Sequence, residues 1–506
     1  MDRQRIETLG QLKAAGYTSK TTKEELRSNL IVKLRKKENA FEGIWGYEET
    51  VIPDVERALL AGHDINFLGL RGQAKTRLAR LMVNLLDEYI PVVAGSEIND
   101  DPLKPLSRFS HDLIAEKGDA TPIAWLHRDD RYTEKLATPD VSIADLIGDV
   151  DPIKAASLKL PYSDERVIHF GLIPRANRGL FVINELPDLQ ARIQVALFNI
   201  LQEGDIQIRG FRLRLPLDLQ FIFTANPEDY TNRGSIVTPL KDRIGSQIIT
   251  HYPKTIAIGR KITHQEATIT ADQQKLVTVP ELASDLVEQI AFEARKSEYV
   301  DPKSGVSARL TISAYESLVA SAERRALLNN EKNVTVRLSD FNGVVPAITG
   351  KVELVYEGEQ EGPGIVAQNL VGKAIRAQFL HYFPDPEKFR KQKEKSPYRK
   401  ITQWFSDGNT LDLLGEISNL EYEKQLRSVS GLLECVNEFQ KNQDPATKLV
   451  LMEFVLHGLA EYSLISKHRL ERGLQFKDLI SGMFNLPKSE TDEEEDDDGT
   501  FGNRSN

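Results

Sequence analysis

With 506 residues, 40% of them hydrophobic and 28% charged, the chain is too long for one compact core, and two to four soluble domains are expected. A lone cysteine, Cys435, in an apolar helical pattern excludes an internal disulfide and any cysteine-rich zinc centre, and the nine scattered histidines show no pair at metal-ligand spacing with an accompanying acid. The net charge of −10 is concentrated at one place: Glu490 and the run Asp492 to Asp498 carry −8 of it and leave −2 for everything else.

The N-terminus, Met1-Asp2-Arg3-Gln4-Arg5-Ile6-Glu7, has charges but no apolar core behind it, so no secretory signal is read there. Even the greasiest stretch, 449–465, is interrupted by Glu453, His457 and Glu461, and a cytoplasmic protein without membrane insertion is expected. Residues 1–40 read as a charged helical extension. Phe41-Glu42-Gly43-Ile44-Trp45-Gly46-Tyr47 then introduces a helix over 50–61, with aromatic rings suited equally to a core or to a nucleotide base.

The apolar run Ile65-Asn66-Phe67-Leu68 predicts a strand and Arg77 to Val83 a helix. Between them lies Gly69-Leu70-Arg71-Gly72-Gln73-Ala74-Lys75-Thr76, where a phosphate-binding loop belongs. Backbone N–H groups of the first turn would face the anion, Lys75 would reach the outer phosphates, and the Thr76 hydroxyl would ligate Mg²⁺. A nucleoside triphosphate is the expected ligand. Ala74 stands where the last glycine before the lysine is usual, which a methyl group tolerates if φ stays negative.

From there to residue 255 strands and helices alternate, implying a mainly parallel sheet covered on both faces. The other clear strands are 179–183 and 219–224. Residues 101–139 read as polar insertion and loop, with a short strand at Ala124-Trp125-Leu126-His127. Ile206, Ile208, Leu213 and Leu215, interleaved with Arg209, Arg212 and Arg214 around Gly210-Phe211, predict a hairpin. Beyond Pro253 the pattern is helical, most strongly at 282–297 and 308–329. A turn at 346–350 and a Gly/Glu-rich stretch at 357–364 mark a boundary, after which a further helical region runs to 487. Its basic connector, 383–400, is expected to be a solvated linker, and the acidic tail, 488–506, to be disordered.

A hydrolytic site needs groups at the carboxyl edge of such a sheet, and the chain places them in order. Strand 179–183 ends in Asn184-Glu185, and Glu185 is the candidate for activating water. The strand 219–224 ends in Thr224-Ala225-Asn226-Pro227, where the Asn226 amide can hold both the water and a γ-oxygen. Arg243, in Lys241-Asp242-Arg243-Ile244-Gly245, and Arg309, in Ser307-Ala308-Arg309, present planar donor forks suited to developing negative charge.

Taken in order, Gly69 to Thr76, Gly171-Leu172-Ile173-Pro174-Arg175-Ala176-Asn177-Arg178-Gly179, Asn184-Glu185, the hairpin around Gly210, Asn226-Pro227-Glu228 and Asp242-Arg243 resemble the AAA+ ATPases of the magnesium chelatase I-subunit and MoxR group. The resemblance covers roughly residues 40–350. It implies an α/β fold, with an AAA+ P-loop NTPase αβα core at 41–255 and a helical lid at 256–350, followed here by the additional helical region at 351–487. It also implies ATP and Mg²⁺ at the interfaces of a ring oligomer, a hexamer. Carried over by position, Lys75 and Thr76 belong to Walker A, Glu185 to Walker B and Asn226 to sensor 1. Arg243 would be a finger reaching the neighbour's nucleotide, and Arg309 sensor 2. Asn184 departs from the family's aspartate. Its amide oxygen can still accept a hydrogen bond from Mg²⁺-bound water but lacks the negative charge, so weaker Mg²⁺ binding and slower turnover are expected.

The resemblance further implies a motor or chaperone-like ATPase that remodels a separate protein bearing a von Willebrand factor A domain with an Asp-x-Ser-x-Ser metal site. The nearest match here, Asp140-Val141-Ser142-Ile143-Ala144, lacks the last serine, so that domain would come from another chain. A chelatase subunit in tetrapyrrole synthesis ranks second. Nucleic-acid remodelling ranks third: it rests on Arg209, Arg212 and Arg214 and is disfavoured by the near-neutral charge outside the tail.

Overall fold

The continuous apolar runs of the first half of the chain become the three inner strands of one parallel sheet, and two more polar segments form its edges. In chain order these are β1 (Ile65–Leu68), β2 (Tyr132–Leu136), β3 (Gly179–Asn184), β4 (Leu219–Ala225) and β5 (Ser246–Ile249), arranged β5-β1-β4-β3-β2. Every residue of β3 and β4 is buried, and alternate side chains serve two different cores. Phe181, Ile183, Phe221 and Phe223 pack on one face, and Leu180, Val182 and Ile222 on the other. Truncating a fully buried phenylalanine such as Phe181 to alanine would cost about 3–5 kcal/mol.

The second of these cores also takes in α1 (Lys75–Leu81), through Leu78 and Ala79, together with Phe41, Ile44, Tyr47 and Val51. The aromatic segment before the first strand is therefore largely core. Trp45 is its exposed member, with its indole N–H donating to Gln265 Oε1 at 2.7 Å and the Lys261 ammonium 5.3 Å from its ring.

The computed structural model describes residues 6–162, 164–208, 214–227, 235–470 and 473–479, with backbone alone at 205–207, 214 and 393. Arg209, Gly210, Phe211, Arg212, Glu228, the Arg214 side chain and the acidic tail lie outside what it describes. The predicted hairpin is present as Asp205–Gln207 paired antiparallel with Arg214–Pro216. A second antiparallel pair, Gly148–Val150 with Ile168–Phe170, interrupts the chain between β2 and β3.

Within residues 101–139 the expected short strand is present as Ile123–His127, paired with Tyr89–Val93, but the rest, expected to be insertion and loop, also supplies β2 and the helix Arg108–Lys117. β2 escapes a search for apolar runs because it is an edge strand, Tyr-Thr-Glu-Lys-Leu, in which no residue is fully buried.

By contact the chain divides into two compact units. Of the described residues, the first comprises those within 6–265, 300–309 and 351–353, and the second those within 266–299, 310–350 and 354–479. Most of 256–350 thus belongs to the same unit as the described residues from 354 onward. The second unit contains the helices Glu281–Ala294, Pro363–Tyr382 and Pro445–Glu461 and also an antiparallel sheet of Leu411–Leu414, Gly473–Lys477 and Ser466–Leu470 that its sequence did not announce. The expected turn at 346–350 and the stretch 357–364 are mostly helical, as Val345–Thr349, Tyr356–Glu361 and the start of Pro363–Tyr382.

The charges of the basic connector at Lys388, Arg390, Lys391, Lys395, Arg399 and Lys400 are exposed, as expected, but the segment is anchored at both ends rather than a free linker. Phe383 and Tyr398 are buried within it, and the Tyr398 hydroxyl donates to the Pro384 carbonyl at 2.5 Å. Cys435 is buried as expected, and burial pushes its thiol up to about 12.

Candidate functional site

Strand register assembles the site. Leu68 lies beside Ala225, Phe223 beside Ile183, and Leu136 beside Asn184, so the ends of β1, β4, β3 and β2 share one carboxyl edge. The loop from Gly69 to Thr76 emerges there and turns into α1. Gly72 has φ +72°, and a Cβ on it would meet Ser307 Oγ at 2.1 Å and the Ala308 nitrogen at 2.9 Å, so only glycine fits.

The loop is braced from several sides. The Tyr252 hydroxyl donates to the Arg71 carbonyl at 2.9 Å, and the Thr250 hydroxyl to Gln73 Oε1 at 2.7 Å. The Tyr47 hydroxyl lies 3.0 Å from the Gln73 carbonyl and 2.7 Å from that of His251, while Arg71 Nη2 donates to Ser304 Oγ at 2.9 Å and to Glu353 Oε1 at 2.7 Å.

Ala74 corrects one expectation. Its φ is +56° with ψ 18°, not negative, because this residue makes the turn into α1 and its carbonyl accepts the first helical bond, from the Leu78 N–H at 2.9 Å. An L-residue in this left-handed region costs about 1–2 kcal/mol, and the braces on either side hold it there.

Lys75 is 7% exposed and donates to the carbonyls of Gly69 and Leu70, the latter at 3.1 Å, and to Asn226 Oδ1 at 2.6 Å. Asn226 Nδ2 in turn donates to Glu185 Oε2 at 2.7 Å. A continuous chain, Lys75–Asn226–Glu185, therefore runs along the sheet edge. Glu185 has φ +55°, and its N–H donates to Thr224 Oγ1 at 3.1 Å. A non-glycine residue held in the left-handed region directly after a strand is the kind of backbone strain found at functional positions.

Beside this chain the Thr76 hydroxyl donates to Asn184 Oδ1 at 3.2 Å, and the Thr224 hydroxyl to the same atom at 3.1 Å. Hydroxyl and amide oxygens are hard donors, which fits Mg²⁺ carried by a triphosphate. Lys75 also fits an anionic ligand, because a phosphate oxygen can take the place of either loop carbonyl as its acceptor.

The two arginines stand apart from this cluster. Arg243 ends α3 (Thr238–Arg243) and lies against α2 (Ala191–Glu203): its Nε donates to Gln202 Oε1 at 3.0 Å, its Nη1 to the Pro239 carbonyl at 2.8 Å, and its guanidinium sits 5.2 Å from the Phe198 ring. Arg309 is exposed at the start of a helix, Arg309–Asn329, directly after Ser307 and Ala308, which lie against Gly72, and its N–H donates to Ser307 Oγ at 3.1 Å.

The segment Gly171 to Gly179 is a brace rather than a source of reactive groups. Asn177 Nδ2 donates to the Ile98 carbonyl at 3.0 Å, its Oδ1 accepts from the Asp218 N–H at 2.9 Å, and Arg178 Nη1 donates to the Pro91 carbonyl at 2.6 Å. Sequence reading missed Glu134 and Thr224 as members of the site. Thr224 is readable as the polar residue closing an apolar strand, whereas Glu134 follows only from recognising β2.

Among the described residues no cluster of three or more His, Cys, Asp or Glu could hold a metal ion, and no helix is long and apolar enough to cross a membrane. A family model described as "Sigma-54 interaction domain" matches residues 161–245. The magnesium-chelatase 38 kDa subunit of Cereibacter sphaeroides is 24% identical over 241 residues, 47% of this chain and 66% of that protein. The subunit of the same name from Rhodobacter capsulatus is 25% identical over 209 residues, 40% of this chain and 53% of its own length. The chain thus spans just under two thirds and about half of these relatives. A solved complex of the BchI and BchD subunits of magnesium chelatase aligns with 63% of this chain and 98% of its own, at 20% identity and a TM-score of 0.34.

Proposed function

We propose that this chain, which is related to the AAA+ ATPases of the magnesium chelatase I-subunit group, hydrolyses ATP with Mg²⁺ as a ring-forming cytoplasmic motor that remodels a partner protein. The observation that carries the reading is the connected set at the sheet edge: Lys75 bonded to Asn226, Asn226 to Glu185, and Thr76 to Asn184.

In this mechanism Lys75 and the loop N–H groups bind the β- and γ-phosphates. Mg²⁺, when bound, neutralises phosphate charge as a Lewis acid beside the Thr76 hydroxyl and the Asn184 amide oxygen. Asn226 holds the attacking water through its amide, and Glu185, already within hydrogen-bond reach of that amide, accepts the water's proton at a carboxylate oxygen. Arg243 acts in trans. Exchanging its bonds to Gln202 and Pro239 for a neighbour's γ-phosphate requires a head-to-tail interface, which closes into a ring, six-membered in this reading. Arg309, next to the segment against Gly72, senses the nucleotide from the other side. The remodelled partner carries a von Willebrand factor A domain on a separate chain. A second reading, an ATPase subunit of magnesium chelatase itself, is favoured by the names of the two relatives.

Steady-state ATP hydrolysis with Mg²⁺ tests the reading. Glu185→Gln and Arg243→Ala should each lose hydrolysis while Glu185→Gln keeps nucleotide binding. Mixing the two inactive variants should restore part of the rate, because an intact Glu185 from one subunit then meets an intact Arg243 from its neighbour. Failure of the parent protein to bind ATP would sink the proposal, and no recovery on mixing would sink its trans-acting arginine. Mg²⁺ insertion into a porphyrin, which only the chelatase reading requires, separates the chelatase from the motor.

A further inference from the structure

Glu134 belongs to none of the segments that carry the phosphate site, yet it is bonded into it. β2 and β3 run parallel with Leu136 beside Asn184, so Glu134, two residues earlier, shares a face with Asn184. α1 supplies the opposing groups: Thr76 and Arg80 lie four residues apart on one side of that helix. The Thr76 hydroxyl donates to Asn184 Oδ1 at 3.2 Å, and Arg80 Nε and Nη2 donate to Glu134 Oε2 at 3.1 and 2.9 Å. Asn184 Nδ2 closes the circuit by donating to Glu134 Oε1 at 2.5 Å, while the Tyr132 hydroxyl donates to Oε2 at 2.9 Å.

Chemistry dictates which way the amide points. An ionised carboxylate only accepts hydrogen bonds, so the NH₂ of Asn184 must face Glu134 and its oxygen must face the hydroxyls of Thr76 and Thr224. A neutral amide at the end of β3 brings no charge of its own to a hard cation. A carboxylate bonded to the far side of that amide polarises it, increases the negative charge on Oδ1, and places a formal charge one residue away. Arg80 offsets this only in part, since its side chain is 64% exposed to screening solvent and that of Glu134 is 23% exposed.

Resting on the nucleotide reading above, we propose that Glu134 is a positioning residue which, together with Asn184, replaces a single carboxylate at the end of β3. Glu134 fixes the amide oxygen toward Thr76 and supplies the charge that favours Mg²⁺ there.

The test is binding of a fluorescent ADP to the full chain, titrated with Mg²⁺. Glu134→Gln should raise the Mg²⁺ concentration for half-maximal binding by about tenfold, the scale of losing a carboxylate behind a metal ligand, and leave Mg²⁺-free binding within about twofold. Moving the charge across the pair, in Glu134→Gln with Asn184→Asp, should restore the midpoint. Arg80→Gln, which removes the counter-cation and leaves both strand residues intact, should lower it. An unchanged midpoint in both Glu134→Gln and Arg80→Gln overturns this proposal while the nucleotide reading stands. A lower melting temperature with equal loss of Mg²⁺-free and Mg²⁺-dependent binding marks a structural role and also overturns it. A parent protein that binds no fluorescent ADP at any Mg²⁺ concentration overturns both.

Discussion

Charged side chains are buried in both compact units, and their partners differ in kind. At the sheet edge of the first unit, Lys75 donates to two loop carbonyls and to Asn226, acceptors that a phosphate oxygen can replace without opening the fold. In the second unit Glu453, fully buried, accepts the N–H groups of Leu338 and Ser339 at 2.9 and 3.0 Å and the Tyr422 hydroxyl at 2.7 Å. Around it, Arg325 grips Asp340 through two bonds of 3.1 and 2.9 Å, and Arg337 donates to the Ile417 carbonyl at 2.9 Å with its guanidinium 4.0 Å from the Tyr422 ring. These partners are backbone groups, a buried carboxylate and a packed ring, all held inside the fold. The same residue types thus serve exchange in one place and fixation in the other, and the presence of an open strand edge decides which.

The comparison breaks most visibly if Glu453 matters for binding or Lys75 for folding. Glu453→Leu should cost about 3–5 kcal/mol in denaturant unfolding, because it leaves two backbone donors and a tyrosine hydroxyl buried without acceptors, and nucleotide affinity should stay within twofold. Lys75→Ala should do the reverse, weakening nucleotide binding by about 100-fold, or about 2.7 kcal/mol, with a stability change below about 1.5 kcal/mol; calorimetry of both quantities on one sample decides it.

Asp100 sharpens the contrast from within the first unit. It accepts from the N–H groups of Leu106 and Ser107 at 2.5 and 2.9 Å and from the hydroxyls of Ser96, Ser107 and Ser110 at 2.7, 2.5 and 2.8 Å. Burial alone would raise its pKa, but those hydrogen bonds outweigh burial and hold the carboxyl below the ordinary range. A depressed folded-state pKa gives stability that is fully present above about pH 4 and lost as pH falls through the folded value. Asp100→Asn should therefore lose about 2 kcal/mol at neutral pH and flatten the acid limb of a stability-versus-pH curve. The smallest effect is expected at the loop itself. Ala74→Gly should stabilise by about 0.5–1 kcal/mol, against the usual direction of that substitution, because φ is already +56°. A loss in thermal melts would refute the strained-turn account.

Much of this molecule is written in local pattern. The run before Gly69, the glycine-bearing loop, and the strands closing in Asn184-Glu185 and Asn226 are each legible because burial on both faces demands continuous apolar residues, and any polar group at such a strand's end stands out. Lys75, Thr76, Glu185, Asn184 and Asn226 were readable as a set for that reason. Within 101–139 the short strand at 124–127 was readable but β2 was not, since an edge strand keeps polar side chains and imitates a loop; with it went Glu134, whose place beside Asn184 depends on strand pairing. The lysine-rich connector was half legible: Lys388, Arg390, Lys391, Lys395, Arg399 and Lys400 are exposed as expected, whereas the burial of Phe383 and Tyr398 at its two ends was not read.

By itself the sequence determined which segments become the three inner parallel strands, where the phosphate-binding loop lies and which residues end those strands, since each arises from periodicity and turn chemistry within a few residues. Only the tertiary structure decided that Ala74 turns left-handed, that Lys75, Asn226 and Glu185 form one chain, and that a glutamate from a neighbouring strand stands behind Asn184. Those depend on register and on the close approach of residues 41 to 151 positions apart, and no local rule contains them.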